Sequence, residues 1–180
     1  MIYLTLLRGI NVGGKTMVKM SGLKTCFEQL GFEHVTTYIN SGNVIFGSPE
    51  TDPRKLEKTI EAALLKAFAH PIKIVVRSQA EIMQVIHNIP KDWLNNLDKK
   101  CNVVFLRHTI DNPSILEDLH PKAGIEELIY KPGVLYWAAQ TSDLTKSEMI
   151  KLSRNSLYQE MTIRNLNTTQ KIYKLMRAKI

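Results

Sequence analysis

The sequence has no acidic residue before Glu28 and only two cysteines, Cys26 and Cys101. Two cysteines without CxxC spacing exclude a disulfide framework and a paired-thiol motif. Unpaired thiols fit a reducing compartment, so a cytoplasmic location is expected. No run of about twenty apolar residues is present, so no membrane partner is expected. The apolar opening Met1–Leu7 has neither a basic segment before it nor a small-residue cleavage site after it. It reads as a buried strand, not a secretory signal. The five histidines (His34, His70, His87, His108, His120) stand singly, with no HxH or HExxH pattern. No metal site and no cofactor are implied. A G-x-S-x-G elbow is also missing, and no residue receives a catalytic assignment.

What remains is an ordinary globular composition. The 180 residues are 44% hydrophobic and 23% charged, enough for one domain or two small ones. The net charge of +7 is unevenly spread. Residues 1–27 carry +4, from Arg8, Lys15, Lys19 and Lys24. Residues 144–180 carry +6, from eight basic residues against Glu148 and Glu160, while the middle carries −3. If the two ends meet in space, they form an anion-attracting surface. Otherwise they are solvated faces that aid solubility.

Ile2–Leu7 is nearly continuous apolar sequence, as expected for a strand covered on both faces. After the glycine-bearing loop Gly9–Lys19, Met20, Leu23, Phe27 and Leu30 recur at helical spacing, and Gly31 stops the helix. Strands Val35–Ile39 and Val44–Phe46 flank Asn40-Ser41-Gly42-Asn43, a tight hairpin signal. Asp52-Pro53 opens a helix with Leu56, Ile60, Leu64 and Phe68 on one stripe, and Ile72–Val76 follows as a strand. The order β-α-β-β-α-β is that of a ferredoxin-like unit.

A connector helix runs to Pro90, and the polar stretch 91–100 is the candidate boundary. The second half repeats the order with strand Val103–Leu106, a short helix opened by Asn112-Pro113, and strands Leu128–Lys131 and Val134–Ala138 about Pro132-Gly133. Helical material is expected over most of 143–178. The expected class is α+β, with two ferredoxin-like halves, the second decorated by C-terminal helices. The expected subdomains are 1–90 and 91–180, packed against each other.

Two stretches carry chemistry. Gly9–Thr16 reads GINVGGKT and matches the P-loop pattern letter for letter. The expected helix nevertheless starts near Met20 rather than at Lys15, no strand ends in a Walker B aspartate, and β-α-β-β is the wrong order for a parallel P-loop sheet. An anion-binding nest flanked by Arg8, Lys15 and Lys19 survives that argument, beside the plainer reading of a connecting turn. In the second stretch, Thr162–Lys171, Asn167 and Gln170 form an N-cap pair, and the new helix would aim its N–H groups at an anion between Arg164 and Lys171. Plain helix capping explains the same residues.

These stretches, with Thr37-Tyr38-Ile39-Asn40-Ser41-Gly42-Asn43-Val44 between them, resemble the bacterial family catalogued as domain of unknown function 1697. The matching motifs are Leu6–Gly14, Lys19-Met20, Gly31–Val44 and Thr162–Thr168, in that order. The resemblance implies an α+β fold with ferredoxin-like subdomains and a cytoplasmic protein, and brings no activity with it. Leu166 stands where the family often has tryptophan, so a stacked aromatic ligand is not implied there.

The expected function is binding of a small phosphorylated or carboxylated ligand at a site formed by the glycine loop and the start of the last helix. The residues expected to bind it are Arg8, Asn11, Gly13, Gly14, Lys15, Lys19, Asn43, Arg164, Asn167, Thr168 and Lys171. The alternatives are a nucleic-acid binder or a protein-interaction module without catalysis. Gly42–Phe46 lacks the aromatic arrangement of an RNA-recognition strand, which disfavours the first alternative. No oligomeric state is implied.

Overall fold

A computed structural model describes residues 1–13 and 17–178, with the backbone alone for Met149. The chain divides into two compact units, Met1–Gln84 with Lys171–Ile180, and Val85–Gln170.

In the first unit, β1 (Ile2–Leu7), β2 (Glu33–Tyr38), β3 (Asn43–Gly47) and β4 (Ile74–Ser78) form one sheet. Its order is β2-β3-β1-β4, antiparallel throughout. Helices α1 (Met20–Gln29) and α2 (Pro53–Phe68) complete a ferredoxin-like β-α-β-β-α-β unit. Asp52 caps α2 by accepting the Arg54 N–H at 2.9 Å, with Pro53 in the first turn. Leu23 and Phe27 of α1, with Leu56, Ile60 and Leu64 of α2, pack against Tyr3, Leu7, Val44, Phe46 and Val76. The residues alternating with these on the opposite sheet face, Leu4, Leu6, Ile45 and Val75, are fully buried as well. That double burial explains why β1 is apolar at almost every position.

In the second unit, β5 (Lys99–Leu106), β6 (Glu126–Lys131), β7 (Val134–Gln140) and β8 (Met161–Asn165) form a sheet of order β6-β7-β5-β8. This is the order of the first sheet with each strand replaced by its counterpart. Helix α4 (Ile115–Leu119) supplies Ile115 and Leu119 to a core with Val104, Leu135, Trp137 and Met161. Where the first unit has its second helix, the second has three 3₁₀ turns, Thr141–Lys146, Glu148–Arg154 and Ser156–Glu160. Leu152 of the middle turn fills the place of a helical core residue. Two further helices, α3 (Gln79–His87) and α5 (Leu166–Arg177), follow the last strand of each sheet.

Helical material fills most of 143–178, as expected, as three 3₁₀ turns and one α-helix, but the strand β8 interrupts it. The strand was hidden because Thr162 and Arg164, polar residues at alternate positions, are 3% and 7% exposed. The buried face of β8 is the one that carries Thr162 and Arg164. The opposite face runs from buried Met161 through half-buried Ile163 to exposed Asn165, so apolar–polar alternation does not report its burial. The expected strand over 72–76 lies two residues further on, at Ile74–Ser78.

Candidate functional site

The glycine loop is shaped by backbone conformation before any side chain acts. Gly9, Asn11 and Gly13 adopt left-handed φ values of 66°, 56° and 61°, which glycine and asparagine tolerate best. Asn11 then pins the loop. Its Nδ2 donates to the Val18 carbonyl at 3.0 Å and to the Asn40 carbonyl at 2.9 Å, and its Oδ1 accepts the Val18 N–H at 2.8 Å. One side chain thus joins both ends of the loop to the β2–β3 turn. The Arg8 N–H donates to the Lys73 carbonyl at 3.0 Å and the Leu7 N–H to the Gly42 carbonyl at 2.8 Å, anchoring the loop base.

Arg8, Asn11, Gly13, Lys19 and Asn43 all belong to the first unit. Arg8 is half-buried, and Lys19 is exposed at the residue preceding α1. Gly13 is exposed, and a Cβ there would meet nothing within 4 Å. Gly14 and Lys15 lie outside the described residues. Asn43 is fully buried, and its Nδ2 donates to the Tyr38 carbonyl at 2.8 Å and to Ser41 Oγ at 3.1 Å. Its amide N–H groups close the hairpin.

The start of α5 differs from the expected cap. Asn165, not Asn167, accepts the Thr168 N–H at 2.7 Å, and its carbonyl accepts from Thr169 Oγ1 at 3.1 Å. The helix begins two residues earlier than the Asn167–Gln170 pair suggested, because β8 runs directly into it. Asn167 and Lys171 are exposed and Thr168 is half-buried. Arg164 lies among the buried residues of β8, where its Nη1 donates to the Ile163 carbonyl at 2.8 Å. Burial pulls its guanidinium down to about 10.

That arginine has a counterpart. At the end of β4, Arg77 Nη1 donates to the Val76 carbonyl at 2.9 Å, and Ser78 and Glu81 form a reciprocal cap for α3. Val76-Arg77-Ser78 and Ile163-Arg164-Asn165 thus repeat one arrangement of strand, arginine, cap and helix. The signal was present in the sequence as two short apolar-Arg-polar triplets, too brief to stand out without the topology.

Other groups carry no sequence signal. In the second unit, a cavity of about 190 Å³ is lined by Leu119, His120, Trp137, Lys151, Leu152 and Asn155, among others. Nearby, buried Glu126 accepts from Trp137 Nε1 at 3.0 Å, from Lys122 N at 2.9 Å and from Ser147 Oγ. Both cysteines are buried, and burial pushes their thiols up, away from nucleophilic chemistry. Among the described residues no three His, Cys, Asp or Glu side chains are grouped to hold a metal ion. No helix among them is long and apolar enough to cross a membrane.

The sequence model of a protein of unknown function, DUF1697, matches residues 1–136. The chain belongs to this family. The DUF1697 match takes in all of the first sheet and its glycine loop, and runs into β7. The conserved bacterial protein SP0830 from Streptococcus pneumoniae is similar in structure, with a TM-score of 0.85 at 28% identity over 97% of this chain and 98% of that one. No curated protein gives a significant match.

Proposed function

We propose that this DUF1697 protein binds a small phosphorylated or carboxylated ligand at its glycine loop. The observation that carries the reading is a loop with three left-handed residues, pinned by Asn11 and bordered by Arg8 and Lys19. Asn11 fixes the described ends of the loop, which lowers the cost of ordering them around an anion. Gly13, Gly14 and Lys15 are assigned to the anion by the sequence pattern. The absence of acidic residues before Glu28 keeps the local chain free of competing carboxylates. The role of Asn11 in this reading is to shape the loop, since its amide is bonded to backbone at both ends.

A thermal-shift screen of phosphorylated metabolites, carboxylic acids and nucleotides tests the proposal. A ligand at about a hundred times its Kd should stabilise by roughly 2.7 kcal/mol. Lys15→Ala and Lys19→Ala should reduce that shift. Asn167→Ala, Thr168→Val and Lys171→Ala test independently whether the start of α5 takes part. A flat response across the screen would overturn the proposal and favour an interaction module, the reading that the backbone-bonded amides of Asn11 and Asn43 support. The nucleic-acid alternative is less well supported, since no aromatic ring is among the exposed large apolar side chains of the described residues.

A further inference from the structure

Strand β6 is the outer strand of the second sheet, and the phase of the ladder decides which of its backbone groups face outward. The Leu106 N–H donates to the Gly133 carbonyl at 2.9 Å. Hydrogen bonding alternates along an antiparallel pair. Leu135, Trp137 and Ala139 therefore turn their backbone groups to β5, while Val134, Tyr136 and Ala138 turn theirs to β6. Their partners Lys131, Ile129 and Glu127 face β7, so Leu128 and Tyr130 point their N–H and C=O groups away from the sheet. Among the described residues these four groups have no hydrogen-bond partner. The outward donors of β4, by contrast, are taken by Glu57, Glu61 and Glu81. An edge left open in this way can accept a further strand.

The sequence of that edge is complementary to itself. Turned about Ile129, the stretch Glu127-Leu128-Ile129-Tyr130-Lys131 sets Glu127 opposite Lys131 and Leu128 opposite Tyr130. We infer that β6 pairs antiparallel with β6 of a second copy of this chain, about a two-fold axis at Ile129, joining two four-stranded sheets edge to edge. Leu128 and Tyr130 then form hydrogen-bonded pairs with the partner's Tyr130 and Leu128, each pair exchanging two N–H···O bonds. Ile129 meets its own copy on the axis. Lys131 is exposed with no ion-pair partner among the described residues, and it gains the partner's Glu127, which is exposed as well. Opposite charges and an aromatic against an aliphatic side chain are the favourable cross-strand pairs. A slip of two residues would set Ile129 opposite Lys131 and Glu127 opposite Gly133, so the side chains select one register. An interface this small makes a reversible dimer.

Sedimentation equilibrium of the full chain over a rising concentration series should show monomer and dimer in exchange. Lys131→Glu sets like charges across both symmetric pairs and should weaken the dimer about tenfold. Glu127→Lys should weaken it likewise. An equimolar mixture of the two variants should restore association, because every cross-strand charge pair of the mixed dimer is again one lysine and one glutamate. Melting curves check that both variants fold. Ile129→Cys should give a disulfide-linked dimer on mild oxidation, since residues paired on the axis have Cα atoms about 4.5 Å apart. Cys26 and Cys101 are buried and do not compete. A chain that stays monomeric throughout the series would overturn the inference. So would a dimer indifferent to Lys131→Glu, or variants that the mixture fails to rescue. A monomer that instead binds an alternating valine–threonine peptide would overturn the second copy as occupant in favour of an extended peptide.

Discussion

Glu57, 5% exposed on α2, accepts the backbone N–H of Val76 on β4 through its Oε1 at 3.0 Å. One turn later Glu61 Oε1 accepts the Ile74 N–H at 3.0 Å, and Glu81 Oε2 accepts the Ser78 N–H at 2.7 Å. Strand β4 lies at the edge of its sheet, so these alternate N–H groups face away from β1. Three glutamates therefore occupy donors that a neighbouring strand would otherwise take. Open strand edges template association, and capping their donors removes the template. Part of the negative charge of the chain's middle is thus structural.

Glu57→Ala should cost about 1–3 kcal/mol, because it strands a buried donor without a partner. Glu57→Gln retains an acceptor oxygen and should cost less. Urea denaturation orders the three proteins, and equal midpoints would contradict the role given to the carboxylate. The double variant Glu57→Ala/Glu61→Ala should in addition associate at raised concentration, which size-exclusion chromatography reads directly.

The second prediction separates two glycines that look alike in sequence. Both Gly13 and Gly42 have positive φ, at 61° and 76°. A Cβ on Gly42 would sit 2.7 Å from Leu7 Cβ and 2.7 Å from Ile10 Cδ1, whereas one on Gly13 meets nothing. Gly13→Ala should therefore cost only the left-handed backbone penalty, about 1 kcal/mol. Gly42→Ala adds a clash against a β-carbon held by a strand, and should lose roughly 2–4 kcal/mol. A melting series in which the two variants behave alike would refute the packing described for the hairpin.

How far the sequence discloses this molecule depends on where each residue's partner lies. Ile2–Leu7 and the Asp52-Pro53 helix start are legible because hydrophobic runs and caps are local signals. Strand β8 is not, because Thr162 and Arg164 are polar residues in an interior position that only the assembled sheet creates. The same limit applies at the site. Asn11 reads as a ligand contact when only its loop is considered, yet one partner of its amide is Asn40, 29 residues away. Asn43 reads both as a hairpin residue and as a ligand contact, and the partners of its amide, Tyr38 and Ser41, lie within the hairpin. Glu57 and Glu61 carry no sequence sign that they face a strand edge rather than water.

A third prediction concerns pH. Lys99 Nζ lies 2.8 Å from Asp92 and 2.6 Å from Glu127. Hydrogen bonds to these carboxylates hold its ammonium up at about 12, against an ordinary 10.5, and Lys99 holds the Asp92 carboxyl below its ordinary value of 3.8. The lysine contribution is complete below pH 10.5 and is lost as pH rises toward 12. The aspartate contribution is present above pH 3.8 and is lost as pH falls through its lowered value. Lys99→Met should thus be less stable by about 1 kcal/mol near neutrality. That difference should be flat from about pH 5 to 9 and shrink at either extreme. Urea midpoints for both proteins at acid, neutral and alkaline pH check this, and a constant difference throughout would exclude the ion-pair origin.

Adjacent glutamates on β6 give the last test. Side chains alternate across a strand, so Glu126 and Glu127 point to opposite faces of the sheet. Each receives the N–H of a tryptophan that is 1% exposed: Trp137 donates to Glu126 at 3.0 Å and Trp93 to Glu127 at 2.9 Å. The surroundings differ. Glu126 is buried and also takes the Ser147 hydroxyl and the Lys122 N–H, so both of its oxygens are acceptors. Glutamine in its place must turn an NH₂ toward a donor, and Glu126→Gln should cost about 1–3 kcal/mol. Glu127 has a side chain 48% exposed, bonded to Trp93 through Oε2 and to Lys99 through Oε1. Glu127→Gln can keep one acceptor on the indole and meet water with its amide, so less than about 1 kcal/mol should be lost. Tryptophan fluorescence during urea unfolding follows both substitutions, and a larger loss from Glu127→Gln would mean that the buried carboxylate is not the one its neighbours require.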